Sequence, residues 1–76
     1  MPVYYFNLWD GKKRLPDVEG SELSDLSAAV EEARRAAREI AVEQLRGNEP
    51  VDGNEIEVAD TAGKVLATVA IRDVLG

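Results

Sequence analysis

The side chains of this chain that could do chemistry are mostly carboxylates. Four of them lie close together in one acidic segment: Asp17, Glu19, Glu22 and Asp25. Grouped carboxylates can bind Ca²⁺, but a calcium-binding loop alternates its acidic ligands and closes on a distant bidentate glutamate, and this segment lacks that order. We therefore interpret it as a solvated acidic loop that ends in a helix cap, and we expect no metal or other cofactor.

The two side chains that most often carry out catalysis are absent. The chain of 76 residues contains no histidine and no cysteine, which excludes the usual general base, the thiolate nucleophile, disulfides and thiolate metal sites. The serine and threonine hydroxyl groups have no evident base beside them in the sequence. The sequence therefore predicts a protein that is not an enzyme.

The aromatic residues are concentrated near the N-terminus. All four lie in the run VYYFNLW of residues 3–9, which is rich in β-formers and stops at the turn dipeptide Asp10-Gly11. Because side chains alternate along a strand, the rings must divide between two faces. One face would hold Tyr4, Phe6 and Leu8, and the other Val3, Tyr5 and Trp9. A single helix can cover only one of these faces.

The remaining elements complete the order ββαββ. Residues 12–15 return as a short, basic second strand that Pro16 ends, and this composition protects a sheet edge. After a loop over residues 17–25 comes a helix, and two more strands are predicted over residues 54–60 and 64–75. The third strand has one wet face, whereas the fourth, like the first, is apolar on both sides. Such strands lie at the centre of a sheet or at an interface.

The helix is strongly amphipathic. At about 100° per residue its inward positions form one stripe: Leu26, Ala29, Val30, Ala33, Ala36, Ala37, Ile40 and Ala41. Most of them are alanines, so the helix can approach the sheet closely and bulky strand side chains must fill the interface. Ser24 or Asp25 caps the start, and Gly47 and Pro50 mark the stop. Val42 lies outside the stripe, where the helix either outruns the sheet or contacts another subunit.

These patterns predict one α+β domain over residues 1–76. It is a two-layer sandwich with an antiparallel sheet and one long amphipathic helix on one face, and the patterns leave the strand order open. No apolar run approaches the roughly 20 residues of a membrane span, and no basic segment precedes an apolar one at the N-terminus. We therefore expect a cytoplasmic protein that does not cross a membrane.

The sheet face that the helix leaves uncovered is the candidate binding site. The predicted partner-binding residues are Val3, Tyr5, Trp9, Leu66 and Ala70, an aromatic patch large enough for a second subunit or a ligand. Alternatively, the loop from Asp17 to Ser24 folds over the patch and completes a small second core. The net charge of −6 and the nearby Glu55 and Glu57 disfavour nucleic acid as a partner.

Three segments resemble a family of short bacterial domains of unknown function. They are the start MPVYYFNLWDG, the connector EGSELSDL and the ending DTAGKVLATV, which are similar to the patterns M-P-x-Y-Y-F-x-L-x-D-G, E-G-x-E-L-x-D-L and D-x-x-G-x-V-L-x-T-V. This resemblance implies the fold and no activity. A weaker resemblance, carried by DLSAAVEEA at residues 25–33, is to HicB-like antitoxins, in which a hairpin, a connector and a helix follow one another.

Two functional hypotheses follow. The first is a non-catalytic interaction module that binds itself, as a homodimer, or another protein through the uncovered face, with Tyr5 and Trp9 as anchors. The second is an acidic, antitoxin-like regulator or inhibitor that binds a basic protein, as the charge and the HicB-like topology suggest. The solution mass of the protein and the salt dependence of its association distinguish the two.

Overall fold

The chain folds into an antiparallel sheet with one long helix packed against one side. The computed structural model describes residues 1–47 and 53–74. The elements within these residues are β1 (Val3–Trp9), β2 (Arg14–Leu15), β3 (Ser21–Glu22), α1 (Leu26–Arg46), β4 (Glu55–Ala59), β5 (Val65–Ala70) and a 3₁₀ helix (Ile71–Val74). The predicted α+β architecture is confirmed. Pro50, predicted to mark the helix stop, lies outside the described residues.

The strands lie in the order β2-β1-β4-β5, and β3 also pairs with β1. Every neighbouring pair is antiparallel. β1 is an inner strand, because β4 occupies one of its edges from Tyr5 to Trp9 and β2 occupies the other. Among the described residues β5 lies at the edge of the sheet instead, so of the two positions predicted for it, the centre and an interface, it does not occupy the centre.

β2 and β3 form one interrupted strand along β1. Leu8 pairs with Leu15 and Tyr4 pairs with Ser21, so four steps along β1 correspond to six along its neighbour. The extra residues lie in the segment 16–20, which leaves the sheet and returns to it. The prediction of a continuous loop over residues 17–25 was wrong for β3, because the two-residue strand is too short to show a period of its own.

α1 begins at the predicted cap. Asp25 is the N-cap, and its Oδ1 atom accepts a hydrogen bond from the N–H of Ala28 at 2.9 Å. Four alanines of the predicted stripe have no exposed surface: Ala29, Ala33, Ala37 and Ala41. Leu26 departs from the stripe and is 37% exposed, while Leu23, just before the cap, packs against the core. Leu23 therefore supplies the apolar contact at this end of the helix.

The core lies between the alanines of α1 and large side chains of the sheet. The sheet and the 3₁₀ helix contribute Tyr4, Ile56, Val58, Val69 and Ile71 to it, with Phe6, Leu8 and Ala67 partly buried alongside. Small helix residues thus face large strand residues, as the composition of the stripe predicts.

The end of the chain departs from the predicted fourth strand. β5 stops at Ala70, and the next four residues form the 3₁₀ helix, whose Ile71 is fully buried. Within the strand, a bulge beside Ala59 shifts the register, so that Ala59 pairs with Val65. Leu66 is the extra residue of this bulge, and Val65 leaves the core side on which strict alternation would place it.

Aspartates hold the turns of this fold through backbone hydrogen bonds. Asp10 Oδ1 accepts from the N–H groups of Lys12 and Lys13 at 2.9 and 2.8 Å, and these two bonds, Lys13 first, lower the pKa of Asp10. In the β4–β5 hairpin, Asp60 Oδ1 accepts from the N–H groups of Ala62 and Lys64, both at 2.9 Å. Part of the acidic excess of the chain is therefore structural.

Candidate functional site on the helix-free face

The side of the sheet opposite α1, called the helix-free face below, is built from alternate residues of three strands. Pairing and alternation place on it Val3, Tyr5, Asn7 and Trp9 of β1, Glu55, Glu57 and Ala59 of β4, and Thr68 and Ala70 of β5. Four of the five predicted site residues, Val3, Tyr5, Trp9 and Ala70, therefore share this face. The fifth, Leu66, is the extra residue of the β5 bulge at the far corner of the sheet.

The Tyr5 end of this face is covered by the chain itself. Gly20 comes so close that a Cβ atom built on it would lie 2.8 Å from Val3 Cγ1 and 3.0 Å from Tyr5 Cε1. The backbone of Gly20 therefore packs against these two side chains. Ala59, the cross-strand partner of Tyr5, is only 1% exposed. The connector therefore contacts Val3 and Tyr5 at this end of the face, and both side chains are partly buried.

Asp17 holds the covering segment in place. One oxygen of its carboxylate, Oδ2, accepts a hydrogen bond from the N–H of Phe6 at 3.1 Å, and the other, Oδ1, accepts from the N–H groups of Glu19 and Gly20 at 3.1 and 3.2 Å. The N–H of Asp17 donates to Asn7 Oδ1 at 2.9 Å. These bonds replace the ladder bonds that the interrupted strand cannot make.

The surroundings of the Asp17 carboxylate also change its pKa. Partial burial raises the pKa of Asp17, but the hydrogen bonds from the N–H groups of Phe6, Gly20 and Glu19 together outweigh burial, so the pKa is lowered overall. Asp17 is therefore held in its charged form, in which both oxygens accept hydrogen bonds.

At the other end of the face, Trp9 is partly buried beside a charged cross-strand partner. The guanidinium of Arg14, the cross-strand partner of Trp9, lies 5.7 Å from the centre of the indole ring, within range of a cation–π contact. Arg14 also binds Glu57 in a bidentate pair, with Nε–Oε1 at 2.6 Å and Nη2–Oε2 at 3.2 Å. The Arg14 side chain is 53% exposed and that of Glu57 is 14% exposed. An aromatic ring, a fixed cation and a carboxylate thus lie side by side.

A shallow depression of about 260 Å³ borders Trp9 at the end of the sheet. Its lining includes Trp9, Glu55, Ala70 and Arg72. The depression connects Trp9 with Ala70 across Glu55, their common cross-strand neighbour. This end of the face can therefore receive a protruding side chain that carries both apolar and polar groups.

Four residues that shape the site were missed or given another role by sequence reasoning. Asp17 was interpreted as a solvated acid, Arg14 as protection of the sheet edge and Glu57 as part of a wet face, and Gly20 was only part of a loop. Gly20 stands in the connector pattern and Asp17 lies two residues before that pattern begins, a spacing of aspartate and glycine that is the one local signal that could have identified a built turn. The pair between Arg14 and Glu57 joins residues 43 positions apart and has no local signal.

Comparison with known proteins places the chain in a family. Among the described residues, no helix is long and apolar enough to cross a membrane. No curated protein and no solved structure matches the chain. A family model matches residues 3–72, which include all five predicted site residues. The chain belongs to the family that this model describes, the Domain of unknown function (DUF6894).

Proposed function

We propose that this protein is a non-catalytic interaction module that self-associates through the Trp9 end of its helix-free face. The observation that carries the proposal is the arrangement of Trp9 against Arg14, with Arg14 fixed in turn by Glu57. Tryptophan, tyrosine and arginine are the side chains that most often dominate binding energy at protein interfaces. A ring and a guanidinium that are already ordered lose less entropy on binding than free side chains.

The geometry shifts the centre of the proposed interface along β1. Gly20 covers Tyr5 and Val3, so these residues support the sheet and Trp9 becomes the main anchor. Ala70 lies in the same cross-strand row as Trp9, beyond Glu55. A second copy would offer the same ring, cation and carboxylates, so a two-fold contact can place Arg14 of one copy near Glu55 of the other.

The test is the substitution Trp9→Ser, followed by sedimentation velocity over a range of protein concentration. Truncating a central anchor costs upwards of about 2 kcal/mol of association free energy, and because the ring is partly buried in the folded chain its removal also lowers the urea unfolding midpoint. We therefore expect the Trp9→Ser protein to be monomeric at protein concentrations and temperatures at which it is still folded. Leu45→Ser is the matched control, because Leu45 is an exposed apolar side chain on α1. It should leave both quantities unchanged.

Two results would contradict the proposal. One is a monomeric mass for the unmodified protein at high micromolar concentration. The other is an unchanged mass in the Trp9→Ser protein, which would remove Trp9 as the anchor.

The acidic-regulator hypothesis has weaker support. The HicB-like resemblance rests on the order of elements and the start of α1, and four aspartates, Asp10, Asp17, Asp25 and Asp60, bind backbone N–H groups, so the acidity has a structural use. Co-purification of a basic protein whose binding weakens with salt would favour the regulator over self-association.

A further inference from the structure

The outer edge of β5 is open in the part of the chain that the structure describes. There, β5 pairs with β4 on one side only. The N–H of Ile71 donates to the carbonyl oxygen of Asn54 at 3.0 Å, so the backbone of Ile71 points toward β4. Because backbone groups of an antiparallel strand alternate between its two sides, those of Thr68 and Ala70 point outward. These two residues present two donors and two acceptors along the edge.

The two edges of the sheet differ in protection. The β2 edge has Lys12, Lys13 and Arg14 beside it and is followed by Pro16, the residue types that block addition of another strand. The β5 edge runs through six uncharged residues, Val65–Ala70, and its Val65 and Leu66 are 42% and 37% exposed. The second edge is therefore suited to pair with another strand.

We propose that a second copy of this chain pairs antiparallel with the β5 edge, about a two-fold axis at Val69. Thr68 of each copy then faces Ala70 of the other, and the outward groups of both residues form four hydrogen bonds. This register uses both outward-facing residues and avoids Leu66, where the bulge disturbs the strand. This contact uses backbone groups at the β5 edge, whereas the proposed contact at Trp9 uses side chains on the helix-free face, and neither requires the other.

Charge does not oppose a second copy at this edge. Two chains of net charge −6 repel one another over much of their surfaces. At the β5 edge the charges balance, since Asp60 and Lys64 lie at one end of the strand and Arg72 and Asp73 at the other. Antiparallel pairing brings Asp60 and Lys64 of one copy near Arg72 and Asp73 of the other. Each of these pairs has a net charge of zero, so the two copies do not repel one another there.

The side chains are also compatible with self-pairing. Val69 of each copy lies on the α1 side of the sheet and is already buried within its own copy, so the pairing rests mainly on the backbone bonds of the edge. On the opposite side, Thr68 and Ala70 are small and leave no steric conflict. The paired segment is short, so the interface is smaller than the roughly 1,200 Å² of stable complexes, and we expect a weak, concentration-dependent dimer.

The first measurement is amide hydrogen exchange by NMR at low and high protein concentration. Pairing at β5 predicts that the amides of Thr68 and Ala70 become protected as concentration rises. The amide of Ile71 is the internal control, because its bond to Asn54 protects it at every concentration. A dimer that forms only through the Trp9 end would leave the Thr68 and Ala70 amides unprotected.

The second measurement uses variants of the edge. Thr68→Pro removes an outward donor and no bond to β4, and Thr68→Lys adds a charge beside Glu57, its cross-strand neighbour, so at least one of the two should fold. Thr68→Pro should raise the dimer dissociation constant about tenfold or more, the equivalent of one or two lost hydrogen bonds. Thr68→Lys should shift it in the same direction, because a charged side chain on an edge strand opposes pairing. Leu15→Lys adds the same charge at the β2 edge and should change nothing.

The outcomes separate the two contacts. A dimer that survives Trp9→Ser and is lost in Thr68→Lys supports β5 pairing and contradicts the Trp9 interface. A dimer in which the Thr68 and Ala70 amides exchange freely overturns β5 pairing and leaves the Trp9 interface standing. A chain that is monomeric at every concentration overturns both contacts.

Discussion

Both ends of the helix-free face carry an aromatic residue of β1, but the surroundings of the two residues differ. At one end Tyr5 is covered by the backbone of the 16–20 segment, with Gly20 in contact with its ring. At the other end Trp9 is bordered by a guanidinium and a depression. The difference teaches that an aromatic residue on a helix-free sheet face does not by itself mark a binding surface. Such a residue is covered where a neighbouring segment of the same chain crosses over the sheet, and it is left accessible where none does.

The largest effect is expected from adding a side chain at Gly20, where the backbone packs against Tyr5. Gly20 has φ of +74° and no room for a Cβ atom, so Gly20→Ala combines backbone strain with a clash and should cost about 2 to 3 kcal/mol of unfolding free energy. Gly63→Ala is the matched control, because Gly63 has φ of +84° and no atom within 4 Å of a built Cβ. It should cost only about 1 kcal/mol. Equal losses in urea denaturation would show that Gly20 does not pack on Tyr5.

The next effect concerns the carboxylate that fixes the covering segment. Asp17→Ala leaves the N–H of Phe6 without its acceptor, and we expect a loss of about 1 to 2 kcal/mol in urea denaturation, less where water can replace the bond. Exchange of the Phe6 amide should accelerate with it. Glu19→Ala removes a neighbouring exposed carboxylate and should have little effect. If the Phe6 amide kept its protection, Asp17 would not be its acceptor.

A smaller effect is expected at the Trp9 end. Arg14→Lys keeps the positive charge but loses the bidentate pair with Glu57 and the planar contact with the indole. Trp9 should become more mobile, so its fluorescence should be quenched more strongly by acrylamide while the urea midpoint hardly moves. Arg35→Lys, in the exposed pair with Glu32, is the control. Unchanged quenching would mean that Arg14 does not order the ring.

The smallest effect is a change in acid sensitivity. The pKa of Asp17 is lower in the folded chain than the ordinary value of 3.8, so its contribution to stability is present above that pH and is lost as the pH falls through the folded pKa. Urea midpoints measured below pH 4 should therefore fall less steeply for Asp17→Asn than for the unmodified protein. Parallel curves would contradict the hydrogen bonding of the charged form.

The elements with a clear period were predictable from the sequence. The stripe of α1 and the alternation of β1 each depend on many residues, so one exception such as Leu26 does not change the prediction. The Asp10-Gly11 turn was predictable as well, because Gly11 adopts the positive φ, +93°, that glycine favours.

The site itself was only partly predictable. Alternation placed Tyr5 and Trp9 on one face, but whether each is covered depends on residues that pair across the chain. β3 is two residues long, and its pairing follows from the hydrogen bonds of Asp17, not from its own pattern. The bulge at Leu66 depends on the register between β4 and β5, which alternation within one strand cannot reveal.

The alanine row of α1 sets the distance between the two layers of the domain. Ala33 and Ala37 have no exposed surface, so methyl groups are all that separate the helix backbone from the side chains beneath. A larger residue there would act as a wedge, and a smaller one at Val58 would leave a void. A larger side chain on α1 can therefore be accommodated only if a facing sheet residue becomes smaller. Substitutions at these core positions should accordingly occur in compensating pairs, one in each layer.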